Sequence, residues 1–177
     1  MIGGWKAAWP PGEATTEGIT PLYVACQKAH FDVVTMLIEA NADVNQPVNG
    51  GCAPLYAACE DGHTDIVTAL IAARAATNSS YNGGATPLYI ACQEGHTQVV
   101  ASLLAADAAV DQADDDGATP LYSACWWGHV EIVARLLQAN ATVNQATKEG
   151  ITPLYVASNR GHTAVLTKLL AHLRTTE

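Results

Sequence analysis

Apolar residues recur along this chain as pairs set one helical turn apart. Val33-Val34 precedes Leu37-Ile38, Ile66-Val67 precedes Leu70-Ile71, and Val99-Val100 precedes Leu103-Leu104; Ile132-Val133 with Leu136-Leu137 and Val165-Leu166 with Leu169-Leu170 continue the series. This spacing puts one apolar stripe on each of five helices. Ahead of each lies a shorter segment that opens Thr-Pro-Leu-Tyr, at Thr20, Thr86, Thr119 and Thr152, with Ala53 as the variant. The threonine hydroxyl is predicted to accept from an orphan N–H of the first turn, and proline suits the first helical position because it has no donor to lose there. Ala53 forgoes the cap, at about 1 kcal/mol.

The whole pattern has a fixed period. Gly18, Gly51, Gly84, Gly117 and Gly150 open near-copies of one segment, 33 residues apart without an insertion. Within each copy the first helix is expected to stop at Gly62, Gly95, Gly128 or Gly161, where Ala29 departs from the pattern. The second is expected to stop in left-handed geometry at Asn41, Arg74, Asp107 or Asn140, which Asn and Asp tolerate better than Arg. Asn49-Gly50 and Asn82-Gly83 then predict tight turns, so each connection reads as a hairpin-like finger with minimal strand content. First helices of about eight residues are unstable alone, so neighbours must cover each other and the copies form one cooperative domain. The divisions are 1–17, a leader or partial cap; then 18–50, 51–83, 84–116, 117–149 and 150–177. Trp5 and Trp9, ahead of Pro10-Pro11-Gly12, either cover the first copy or belong to a disordered leader, while Lys168, His172 and Arg174 make the last helix a plausible closing unit.

Composition narrows the function. Seventeen acidic against eight basic side chains give a net charge of -9, and no basic patch interrupts it, which argues against nucleic acid and anionic membrane as partners. No apolar run reaches the roughly 20 residues of a membrane span. The first residues lack a secretory signal pattern, so a cytoplasmic or nuclear location is expected. No phosphate-binding glycine loop, nucleophile elbow or helical two-histidine metal motif is present.

Taken together, Thr-Pro-Leu-aromatic, the Gly-His pair, the paired apolar residues of the second helix and Ala42-Asp43-Val44-Asn45 resemble the ankyrin repeat, over residues 18–177. The resemblance implies an all-α ankyrin-repeat solenoid: helix-turn-helix units in an L-shaped stack, joined by β-turn fingers and used to bind proteins, with no enzymatic activity. One departure is systematic. Tyr23, Tyr56, Tyr89, Tyr122 and Tyr155 stand where the pattern usually has histidine, and a tyrosine ladder with contacts between neighbouring copies is expected.

Two sets of residues carry candidate chemistry. Cys26/His30, Cys59/His63, Cys92/His96 and Cys125/His129 repeat a Cys-x-x-x-His spacing that invites zinc; the competing reading makes cysteine a small buried apolar residue and histidine a brace for the turn between helices. The second reading is preferred, so no cofactor is expected. The other set lies where the copies differ. By resemblance, partners meet the finger tips and the exposed face of the first helix, which here read Gln27-Lys28, Glu60-Asp61, Gln93-Glu94, Trp126-Trp127 and Asn159-Arg160. Trp126 and Trp127 are the expected anchors, because tryptophan is enriched in interface hot spots. Glu60, Asp61, Glu94 and the Asp114-Asp115-Asp116 finger form an expected acidic rim, beside the mixed charge of Lys148 and Arg160. The expected function is a monomeric scaffold for another protein or peptide carrying basic and apolar side chains. The alternatives are a metal-binding or enzymatic repeat protein using the Cys-x-x-x-His series, or a purely structural spacer.

Overall fold

The computed structural model describes residues 14–175; Trp5 and Trp9 lie outside the described residues. Among the described residues ten helices follow one another in pairs: α1 (Pro21–Gln27) with α2 (Phe31–Glu39), α3 (Pro54–Glu60) with α4 (Thr64–Ala72), α5 (Pro87–Glu94) with α6 (Thr97–Ala105), α7 (Pro120–Trp127) with α8 (Val130–Gln138), and α9 (Pro153–Asn159) with α10 (Thr163–Thr175). Odd-numbered helices pack on odd and even on even, giving two layers and an all-α solenoid.

Local chemistry sets the helix ends. Thr20, Thr86, Thr119 and Thr152 each accept from the backbone N–H of the tyrosine three residues on, at 3.1–3.2 Å, whereas Ala53 makes no such bond. Asn41, Arg74, Asp107 and Asn140 all take positive φ after the second helices. The one-helix-turn gap between Ile66-Val67 and Leu70 in α4 places all three in the core, and α8 likewise buries Ile132, Val133, Leu136 and Leu137. At the start of the stack α2 has the same pattern but buries Val34 alone, and among the described residues it has an even-numbered neighbour, α4, on one side only.

Each finger closes in the same way. The backbone N–H groups of Thr15, Val48, Tyr81, Asp114 and Thr147 donate to the carbonyls of Ile19, Cys52, Ala85, Ala118 and Ile151, all at 2.9–3.0 Å. Among the described residues this yields one isolated antiparallel bridge, Tyr81 with Ala85, and no longer strand.

Besides backbone bonds from finger to finger, such as Asn49 N–H to Glu17 and Lys148 N–H to Asp116, two kinds of side-chain brace join successive pairs. At the loop end, the Asn45 side chain accepts from Ala76 N–H at 2.7 Å, Asn78 from Ala109 at 2.8 Å, and Asp111 from Thr142 at 2.9 Å. At the turn end the histidines act, and here the expected brace within one copy gives way to a longer reach. The Nε2 of His96, His129 and His162 donates to the carbonyls of Glu60, Gln93 and Trp126, thirty-six residues earlier, at 2.9–3.1 Å. The glycine at the preceding turn makes room. A Cβ on Gly95, whose φ is +82°, would lie 2.7 Å from the His129 ring. Ala29 holds the equivalent turn of the first pair at φ 57°, and among the described residues His63 forms no corresponding bond to Gln27.

Candidate functional site

The cysteines of the repeated Cys-x-x-x-His spacing are packed into the core, and all five thiols of the chain are free. Burial pushes Cys26 and Cys125 up to about 12 and Cys92 well above its ordinary value, so these thiols stay protonated. Among the described residues no three His, Cys, Asp or Glu side chains gather as metal ligands do.

The features outside the repeat pattern converge elsewhere. A pocket of about 460 Å³ opens between α5, α7 and the two fingers that follow them. Its finger wall begins with Asp114, whose Oδ1 accepts from the backbone N–H of Asp116 at 3.0 Å and of Ala118 at 2.8 Å. Those two hydrogen bonds to its own loop fix the carboxylate. Asp116, Lys148 and Glu149 continue the wall. None of the three lining carboxylates is ion-paired within 4 Å among the described residues.

The helix side is aromatic. The Tyr89 hydroxyl stands beside the Asp114 carboxylate and the Ser123 hydroxyl; burial first, then the Asp114 charge, pushes its pKa up to about 12, so it is neutral at physiological pH. Ser123, on α7, is 2% exposed, and its Oγ closes no hydrogen bond of full geometry despite the nearby phenol. The Tyr122 and Trp126 rings lie 6.1 Å apart, tilted by 35°. Trp126 is half-buried, and the Arg160 guanidinium sits 3.8 Å from the centroid of its ring. Trp127 projects, 53% exposed.

The ten residues singled out in the sequence therefore do not make one surface. Trp126, Trp127, Asp114, Asp116 and Lys148 come together at the pocket. Arg160 is taken up by the chain's own indole. Asp115 turns to the previous finger, where its N–H donates to Gly83 at 2.7 Å. Asp61 lies at the turn after α3, in a shallow depression with Lys28 and His63. The Glu60 carboxyl is held above the ordinary carboxylate range by burial and by the charges of Asp61 and Glu94, so these three form a separate acidic group. Glu94 also accepts from Gln93 Nε2 at 2.9 Å. The acidic rim expected around the tryptophans thus divides in two.

The repeated tyrosines also behave differently from the expected ladder. The Tyr56 ring meets Tyr81 of the following finger edge-on at 5.0 Å, Tyr89 meets Asp114 one copy later, and the Tyr23 hydroxyl donates to Cys52 Sγ at 3.8 Å. Each reaches a finger, and among the described residues the ring contacts do not run from one repeated tyrosine to the next. Tyr89, Tyr122 and Ser123 were missed as site residues by sequence reasoning. Ser123 had a signal, since the equivalent positions hold Val24, Ala57, Ile90 and Val156.

No helix among the described residues is long and apolar enough to cross a membrane. A search of curated proteins finds no match. A family model described as ankyrin repeats in three copies matches residues 7–82 and again 73–147, ahead of the last helix pair. Such repeats are generally protein-interaction modules and generally not enzymes. With two helix layers, fingers of one recurrent geometry and that match over most of its length, the chain belongs to the ankyrin-repeat family.

Proposed function

We propose that this chain is a non-enzymatic scaffold that holds one protein partner on the surface formed by α5, α7 and their fingers. One observation carries the reading: an exposed tryptophan stands at the mouth of an aromatic pocket walled by carboxylates that the chain does not neutralise. Trp127 supplies apolar area at low conformational cost, and the acidic wall steers a partner with basic side chains beside apolar ones. Residues 18–177 act together as the recognition domain, and the working state is a monomer. Cytoplasm or nucleus is the proposed location. The acidic group of Glu60, Asp61 and Glu94 extends the steering field along the stack.

The test compares partner capture from the source cells by wild type and by a Trp126→Ala/Trp127→Ala variant, at folding matched by circular dichroism. Loss of the captured protein is expected. Undiminished capture would overturn the reading and leave a structural spacer as the better account.

A further inference from the structure

We propose that residues 1–13 of this chain lie over the open face of the first helix pair, with the indoles of Trp5 and Trp9 in an apolar groove against Val24 and Val33. The inference is independent of the binding surface on α5 and α7.

Equivalent positions in the five copies define the groove. Val24 of α1 is 40% exposed, whereas Ala57, Ile90, Ser123 and Val156 in its place are at most 5%. Val33 of α2 is 45% exposed, whereas Ile66, Val99, Ile132 and Val165 are at most 1%. What the later copies have and the first lacks, among the described residues, is a helix pair ahead of it. Ile19, Pro21, Ala25 and His30 join the two valines around a groove of about 340 Å³, and Thr15 lines its entry side of the chain. The end units of a stacked array need such a face covered.

The residues ahead of the groove are in register to cover it. The first finger stands where a preceding copy would put it: Thr15 N–H donates to Ile19 at 3.0 Å like its counterparts, and Asn49 N–H donates to Glu17 at 2.9 Å as Lys148 does to Asp116. Counting back from that finger by the same 33-residue period, Trp5 takes the place of Ile38, Ile71, Leu104 and Leu137, and Trp9 that of Ala42, Ala75, Ala108 and Ala141. All of those side chains pack in the core or against it. Both tryptophans therefore fall on core positions of the period. A buried tryptophan removes about 150–250 Å² from water, which lets a short segment cover two valines. Trp9 is six residues from Thr15, at most about 22 Å of extended chain, so the tether delivers it to the groove. Held that close, the segment has an effective concentration on the order of millimolar and outcompetes a second copy or a separate partner.

The test uses the full chain carrying Trp126→Phe and Trp127→Phe, so that of its four tryptophans only Trp5 and Trp9 emit. Relative to a synthetic peptide of residues 1–13, their emission should shift to shorter wavelength and their quenching by acrylamide should fall. Val33→Asp puts a charge in the groove at the first turn of α2, where an acidic side chain suits the helix, and should return both readings toward those of the peptide. Met36→Asp, exposed on the same helix but outside the groove, should leave them unchanged. Circular dichroism checks the folding of each variant. Independently of any change in the groove, Trp5→Ser/Trp9→Ser in the otherwise unaltered chain should lower the urea midpoint. Peptide-like emission and quenching in the parent chain, or an unchanged urea midpoint, would overturn the proposal. So would protection that survives Val33→Asp in a folded variant, or an equal response to Met36→Asp, since either places the rings elsewhere. Protection that grows with protein concentration would make a second copy the cover and overturn it too.

Discussion

The joint between the first and second helix pairs and the joint between the third and fourth are built on one plan and held differently. Both have a loop-end brace, Asn45 to Ala76 in the first case and Asp111 to Thr142 in the second. At the turn end they part. Gly95 lets the His129 ring settle against it and donate to Gln93, whereas Ala29 occupies the same turn of the first pair and His63 makes no equivalent bond to Gln27. One methyl group thus separates a joint with a histidine tie at the turn from a joint without one. The lesson is that a residue in a stacked array acts on its neighbour's geometry as much as on its own turn.

The largest break in this comparison should come from the core. Leu136 is fully buried in α8 and Leu37 holds the same position in the half-covered α2. Leu136→Ala should cost about 2–5 kcal/mol and Leu37→Ala distinctly less, read from urea melts of each variant. A similar loss at both sites would contradict the claim that covering, not pattern, sets the cost.

Next comes the turn itself. Gly95→Ala should cost about 2–3 kcal/mol, the left-handed penalty plus the histidine bond, while Gly161→Ala, where a Cβ would meet nothing within 4 Å, should cost only the penalty. Equal losses would show that the imidazole contributes nothing. The reverse change, Ala29→Gly, should raise stability by about 1 kcal/mol and bring a His63 amide-region shift in the nuclear magnetic resonance spectrum as the ring reaches Gln27.

The smallest effect is electrostatic. Because burial and neighbouring carboxylates raise the Glu60 carboxyl, folding favours its neutral form. Its contribution to stability is present at acid pH and fades as pH rises through the raised value. Glu60→Gln should therefore melt slightly higher than wild type at pH 7 and match it below about pH 4, where the side chain is protonated in either state. A lower melting temperature at neutral pH would contradict that sign.

How far these features were legible beforehand depends on their range in the chain. The helix pairs, caps and left-handed stops follow from residues within a few positions of each other, and the 33-residue period repeats that information. Trp127 and Asp114 were visible as exceptions to the period. The histidine bridges were not, since they join residues 36 apart on different helix pairs and look locally like turn residues. Tyr89 was hidden by being ordinary: it is the same tyrosine as in every copy, and only the Asp114 beside it changes what its hydroxyl can do. Arg160 misled for the opposite reason, because a surface cation next to a tryptophan reads the same whether it awaits a carboxylate or covers the chain's own ring.

The distribution of braces has a mechanical side. The second and third joints are tied at both ends of the helices, the first at the loop end and the fourth, among the described residues, at the turn end. The fingers add a further tie, Asn49 N–H to Glu17 at the first joint, Asp115 N–H to Gly83 at the third and Lys148 N–H to Asp116 at the fourth, so among the described residues only the third joint is tied at all three places. The pocket straddles α5 and α7, across that third joint, so the surface proposed for binding lies where the stack is tied most often.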